Sequence, residues 1–359
     1  MKKRFAAVLT AGLAVSSLVG CQNNYSETTA SASEQIADNS SEAVLEETSK
    51  KVSEDLSGSI TLYTSQPEED IQVMIDGFNK KWPDIQVDVF RSGTEEVVSK
   101  VLAEKAAGDV LADVLLVADN VTFETLKEQD LLSAYESPEL EGIPEIYIDK
   151  DHMYVGTKVI TTGIVYNTEL TENIPAGFKD LTNEAYKDDL IMPSPLYSGA
   201  AAYNLGVLTR TEGLGWDYYQ TLKDNGVVVG KGNGSVQNAV VAGEQACGLL
   251  ADYMAIRSKN DGAPVEFVYP AEGSPAVTEP IGIVKGTDSE DLAKAFVDFV
   301  LSEEGQALTA EIGYTPIKSG VEVPEGFKRI DEITPLTWDT KELYQNREAD
   351  KEQFSQMFQ

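Results

Sequence analysis

The 359-residue chain sets 28 Lys and Arg against 60 Asp and Glu, a formal net charge of −32. So acidic a surface repels nucleic acid and anionic lipid head groups, so nucleic acid is excluded as a partner and an anionic ligand needs a locally positive cleft. Cys21 and Cys247 are the only cysteines, so disulfides play no part in the expected stability.

The chain opens on a basic Lys2-Lys3-Arg4 stretch and an apolar run over residues 5–19, too short and wrongly flanked for a stable transmembrane helix. Leu18-Val19-Gly20-Cys21 fits a bacterial lipobox, in which the cysteine is lipidated and becomes the mature N-terminus. Residues 1–20 are therefore read as a signal peptide. Residues 21–57, rich in Asn, Ser, Thr, Ala and Glu, are read as the lipidated Cys21 and a disordered tether, because too few large apolar side chains are present to offset the entropy of ordering. The expected location is the extracellular face of the cell membrane, held by lipid.

Residues 59–94 read as strand, turn, helix, strand, turn. Residues 60–63 form a short β-rich run. Ser65 with Glu68 has the spacing of a capping box, with Pro67 in the first turn. Ile71, Met74, Ile75 and Phe78 then recur at helical spacing. Ile85, Val87 and Val89 alternate as one face of a second strand, and Ser92-Gly93-Thr94 opens the next helix with a second capping box from Ser92 to Glu95. In a parallel α/β sheet both turns lie outside the carboxyl ends of the strands, where free N–H groups and the positive end of the helix dipole meet a ligand.

Residues 112–117 (ADVLLV) predict a strand buried on both faces, ending at Asp119-Asn120 before a helix over 122–129. The β-branched run 159–167 predicts a crossover strand between lobes. Strand 190–192 leads through Ser198-Gly199-Ala200 into a helix over 200–208, and Tyr218-Tyr219 sit in a helix with Trp216, where aromatic packing is expected. The Gly-rich turn 230–235, ending in Gly234-Ser235, precedes a helix over 236–243. Strand 246–251 holds Cys247, read as a small core thiol, and ends at Asp252-Tyr253. Residues 281–284 return to the first lobe, residues 289–311 are helical with caps at Ser289 and Ser302, and the tail 334–359 is helical. Strands alternate with helices throughout, so the fold class is α/β. If two sheets face each other across a cleft, the small polar turns of both halves converge on one ligand. The expected lobes are residues 58–158 with 277–320 and residues 159–276 with 321–359.

Lipobox, tether, ITLYTS–helix–strand–RSGT, ADVLLV, GIVYN, PLYSGAA and the segment SEDLAKAFVDFVLSEEGQALTAEIGYTPI together resemble a periplasmic-type substrate-binding protein of an ABC importer. Within that group the chain is similar to the family of ferric-iron, hexose-phosphate and aminoethylphosphonate binders. The resemblance implies a two-lobed fold, each lobe a mixed sheet flanked by helices, with ligand between them and closure read by a membrane permease. It implies a small-molecule ligand, an ABC permease as partner, a monomer and no cofactor.

Two ligand classes stay open. The expected oxyanion site comprises Thr64, Ser65, Ser92, Gly93, Thr94, Ser198, Gly199, Ala200, Gly234 and Ser235, hydroxyls or small residues at helix N-termini, flanked by Arg91 and Lys231. Asp119, Asn120, Asp252, Tyr253 and Glu244 complete the candidates, the carboxylates as acceptors for sugar hydroxyls or an amine. In ferric-binding relatives two adjacent tyrosines follow the strand matching 246–251; here that position reads Asp252-Tyr253, which keeps one hard phenolate donor and makes ferric iron the alternative ligand. His152, the only histidine, lies in a loop. No G-x-S-x-G, H-E-x-x-H, Walker or C-x-x-C pattern occurs, so no enzyme is expected.

Overall fold

The computed structural model describes residues 56–359. The Cys21 motif, the apolar leader and the segment up to residue 55 lie outside the described residues.

The elements run β1 (Gly58–Thr64), α1 (Glu68–Lys81), β2 (Ile85–Arg91), α2 (Thr94–Ala107), β3 (Val114–Leu116), α3 (Asn120–Glu128), β4 (Leu132–Ser133), β5 (Val155–Asn167), β6 (Leu190–Pro193) and α4 (Gly199–Leu208). Then follow α5 (Gly215–Asp224), β7 (Val228–Gly230), α6 (Asn233–Val241), β8 (Cys247–Ala251), α7 (Asp252–Asn260), β9 (Val265–Val268), β10 (Ser274–Val284), α8 (Glu290–Leu301), α9 (Glu303–Ile312), β11 (Thr315–Pro316), β12 (Pro335–Leu336) and α10 (Thr340–Phe358).

The strand order is β2-β1-β3-β10-β5-β8-β6-β7. Parallel pairs β1/β2 and β1/β3 build one end, and parallel pairs β6/β7 and β6/β8 the other. Two long antiparallel strands join them. β5 is buried at every position. Its first half pairs with β10, and residues 162–167 pair instead with β8 and β9. One run, VGTKVITTGIVYN, therefore serves both halves of the molecule, and its β-branched part, residues 159–167, is the stretch expected to cross between them.

Each half has its own core. In the first, α1 buries Ile71, Met74, Ile75 and Phe78, the face the helical spacing predicts, against β1 and α8. Phe78 meets Phe296 edge-on at 5.1 Å. In the second, Tyr218, Tyr219 and Leu222 of α5 pack with Leu190, Met192 and Phe354. The Tyr218-Tyr219 pair is thus core, and Cys247 is buried beside it, its thiol pushed up to about 11 by desolvation.

Local corrections follow from competing partners. Neither expected capping box forms. α1 starts from Pro67 and α2 from Gly93, both without a side-chain cap; the Ser92 hydroxyl donates to Glu96. On β2 only Ile85 is buried, while Val89 is 40% exposed, because β2 is the outermost strand. The Gly-rich turn ends sooner than expected: α6 begins at Asn233, so Gly234 and Ser235 lie in its first turn. Ser302 caps α9 by accepting from Gly305 N, whereas Ser289 caps nothing through its side chain.

Candidate ligand-binding cleft

A cavity of about 350 Å³ opens between the two halves. Among the helices that begin at its wall are α2 from the first half and α4 and α6 from the second. Gly93 and Thr94 line it from α2, Ser198, Gly199 and Ala200 from α4, and Gly234 and Ser235 from α6. Ser65 and Tyr253 complete the predicted residues that the fold brings together.

The first N–H groups of a helix have no acceptor within it. On α4 the Ser198 hydroxyl accepts from Ala201 N at 3.3 Å, and Gly199 and Ala200, whose N–H groups have no acceptor within the helix, line the cavity. On α6 the N-cap is Gly232, which has no side chain to satisfy Asn233 and Gly234. Their glycines also set the closeness of the walls. A Cβ on Gly199 would lie 2.5 Å from the Ala118 carbonyl oxygen and 2.8 Å from Thr94. A Cβ on Gly93 would lie 2.6 Å from the Tyr197 ring. Glu95 N donates across the same gap to Tyr197 O at 3.3 Å. Gly234, in contrast, has open space where a Cβ would stand. The two halves are therefore in contact around a cavity, not splayed apart.

Arg91 and Lys231 also line the cavity. Arg91 is steadied by Nε donating to the Gln66 carbonyl at 2.9 Å. Lys231 Nζ lies 4.2 Å from the Tyr197 ring centre and 3.5 Å from Glu96, with its side chain 65% exposed at the rim. Both cations stand beside helix N-termini, which adds to the positive field there.

The structure places the remaining predicted residues outside the cavity. Thr64 is fully buried, its hydroxyl donating to the Leu116 carbonyl at 2.8 Å and accepting from Gln66 N. Ser92 is held by Glu96. Asp119 caps α3 by accepting from Thr122 N at 2.9 Å and pairs with Arg347 at 3.1 Å. Asn120 donates to Thr340 at 3.2 Å. The physical reason for the last two is α10, which covers the start of α3. Asp252 is likewise engaged: Oδ2 accepts from the Thr161 hydroxyl at 2.6 Å and Oδ1 from Tyr253 N at 2.8 Å. Burial lifts its carboxyl to about 6. Glu244 is exposed and lines nothing here. His152 sits in the left-handed region at φ 53° in a turn remote from these walls.

Sequence reasoning missed one cavity-lining carboxylate, Glu279 on β10. It is 4% exposed and forms a buried ion pair with Lys158 of β5. Gln66 Nε2 donates to its Oε2 at 2.9 Å and Ser65 Oγ to its Oε1 at 3.3 Å. The available signal was the presence of a charged residue within each of two otherwise apolar strands, PAVTEPIGIV and VGTKVITTGIVYN.

As a metal site the cleft is poorly furnished. Tyr253 packs against Tyr314 with ring centres 4.4 Å apart and the planes tilted by 39°, and Arg257 lies over both rings. Desolvation pushes its hydroxyl well above the ordinary tyrosine range. Among the described residues no group of three or more His, Cys, Asp or Glu is arranged to hold a metal.

Residues 73–334 match the family model described as bacterial extracellular solute-binding protein. The chain belongs to that family. Among its relatives this solute-binding protein is 26% identical over 264 residues to a putative 2-aminoethylphosphonate-binding periplasmic protein of Salmonella typhimurium, covering 70% of this chain and 74% of that one. It is 24% identical over 255 residues to iron uptake protein A1 of Synechocystis, covering 66% and 70%. Its fold superposes on the periplasmic binding protein AfuA of Actinobacillus pleuropneumoniae, solved with fructose-6-phosphate, with a TM-score of 0.78 at 24% identity, over 84% of this chain and 99% of that one. The architecture is accordingly the two-lobed one of periplasmic solute-binding proteins of ABC importers, and the cavity lies between the lobes. No helix among the described residues is long and apolar enough to cross a membrane.

Proposed function

We propose that this solute-binding protein captures a small phosphorylated or phosphonate compound between its lobes and presents the closed form to the permease of an ABC importer. The observation that carries the reading is the convergence of α2, α4 and α6 on one cavity, with Arg91 and Lys231 beside them. A dehydrated oxyanion needs many donors at close range, and first-turn N–H groups supply them without side-chain entropy. The named relatives, one putatively an aminoethylphosphonate binder and one solved with a sugar phosphate, support the same ligand class.

Ferric iron is the second reading, supported by the relative named for iron uptake and by Tyr253 at the cavity wall. Against it, Asp252 is turned away into its bonds with Thr161 and Tyr253 N.

The lobes are proposed as residues 58–158 with 277–320 and residues 159–276 with 321–359, a division that falls close to where β5 changes partners from β10 to β8. Cys21 is proposed as the lipid anchor, on the strength of its lipobox. The protein is proposed to act as a monomer, to need no cofactor and to do no chemistry on its ligand: affinity comes from contacts made only in the closed state.

Native mass spectrometry of the protein purified from its own cells, before and after unfolding and refolding, tests the ligand. A co-purified mass of a few hundred daltons that fragments to phosphate or phosphonate is the expected result. A shift of one iron atom, with tyrosinate colour, would overturn it.

A further inference from the structure

The polar part of the cavity wall is mostly donors and cations, yet Glu279 brings a carboxylate into it. The ladder opposite it is irregular. The β5/β10 ladder pairs Thr278 with Val159 and Pro280 with Gly156, so the register shifts at Glu279. The extra residue lies on β5, where Thr157 and Lys158 together oppose Glu279, and a bulge of this kind re-aims the strand that carries it, here with Lys158 against the Glu279 carboxylate. Pro280, which has no N–H to donate, follows directly and is accommodated there. The Glu279 carboxylate is only partly satisfied. Oε2 takes both Lys158 and Gln66 Nε2, while Oε1 accepts a single 3.3 Å bond from Ser65 Oγ. A carboxylate has about four acceptor positions, so Oε1 retains capacity for another donor.

We propose that Glu279 is a specificity-determining residue. It accepts a hydrogen bond from an ammonium or hydroxyl group on the remainder of a ligand whose oxyanion meets the helix N-termini. This rests on the oxyanion reading above and adds a second requirement to it. Next to a bare oxyanion the carboxylate would only repel. Next to a ligand that carries a donor it completes the site, and an analogue lacking the donor leaves a buried acceptor unmet, a mismatch that polar sites reject strongly. Lys158 acts as a positioning residue, holding Oε2 so that Oε1 is presented. Asp119, Asp252 and Glu244, the acceptors expected from sequence, are bonded elsewhere or exposed outside the cavity, which leaves Glu279 as the acidic side chain in the lining.

The test is calorimetric titration of the full-length protein with ethylphosphonate, 2-hydroxyethylphosphonate, 2-aminoethylphosphonate and fructose 6-phosphate. The wild type is expected to bind at least one donor-bearing compound tenfold or more tighter than ethylphosphonate, and the hydroxyl and amine analogues tell which donor it takes. Glu279→Gln is expected to weaken that compound tenfold or more while changing ethylphosphonate by less than threefold. Because Glu279→Gln leaves Lys158 buried without its partner, the Lys158→Met/Glu279→Gln double variant, which removes both charges, is titrated in parallel and should show the same selective loss. An equal loss for all compounds would mean that the ion pair only ties β5 to β10, and would overturn the proposal. Equal wild-type affinity for donor-bearing and donor-free compounds would overturn it alone, leaving the oxyanion site standing. Binding of none of the four would overturn both.

Discussion

Thr94 and Ser198 stand at the starts of α2 and α4, one from each half, and both line one cavity. A carboxylate at either position would occupy the place of the ligand oxyanion and satisfy the same helix dipole. Thr94→Glu or Ser198→Glu is therefore expected to abolish binding of phosphorylated or phosphonate compounds in a thermal-shift titration, and unchanged affinity would remove those turns from the site. Tyr253 separates the two ligand classes. Tyr253→Phe is expected to cost about 1 kcal/mol of affinity for an oxyanion ligand, the worth of one hydrogen bond. For a ferric ion the same change would remove a ligand, and visible tyrosinate absorption would vanish. The small polar turns were readable because glycine and hydroxyl residues between a strand and a helix have few other uses. Which of their side chains point inward was not readable: Ser92 and Thr64 have the same character as Ser65, but Glu96 and the Leu116 carbonyl claim them.

Helix α10 ties the lobes together. It packs Leu343 against the core shared by α4 and β5 and places Phe354 among the second lobe's aromatics. From the same helix Arg347 bonds Asp119 and Glu95, and Lys351 bonds Glu95 at 2.6 Å, both acids belonging to the first half. Arg347 is 8% exposed, so truncation strands two acidic partners. Arg347→Met is expected to lower stability by about 3–5 kcal/mol in chemical denaturation. For Glu95 burial alone would raise the pKa, but Arg347 and Lys351 outweigh it and hold the carboxyl below its ordinary 4.5. A depressed folded pKa means the unfolded chain binds the proton more readily. The contribution of these pairs is thus fully present above about pH 4.5 and is lost as pH falls through the folded value. Hydrogen exchange in α10 should accelerate below pH 4.5 in the wild type, and Glu95→Gln should remove that step. The helical tail itself was legible from its composition. Its position over Asp119 and Asn120 was not, because it depends on contacts more than two hundred residues apart in sequence.

For the molecule as a whole, the net charge of −32 opposes an anionic ligand at long range, while the cavity attracts it at short range. Salt screens the long-range part over about 10 Å at 0.1 M and leaves buried contacts largely untouched. Stopped-flow association of an anionic ligand should therefore speed up as ionic strength rises from about 0.01 to 0.15 M, with little change in the dissociation rate. A slowing would mean that Arg91, Lys231 and the helix dipoles dominate the field even outside the cleft. The same balance makes the site local: two cations and three helix ends act where a surface of opposite sign surrounds them.

The α/β class, the crossover role of residues 159–167, the aromatic core around Tyr218 and Tyr219 and the turns that open α2 and α4 follow from the sequence by itself, since each rests on local periodicity and turn chemistry. The tertiary structure alone decided that Asp119, Asn120 and Asp252 are held within the lobes. It alone decided that α6 begins early enough to put Gly234 in its first turn, and that Glu279 enters the cavity. Each of those outcomes depends on which distant group arrives to accept or donate a hydrogen bond. A one-residue bulge in β5 sets Thr157 and Lys158 together against Glu279, an offset that strand alternation in the sequence does not show.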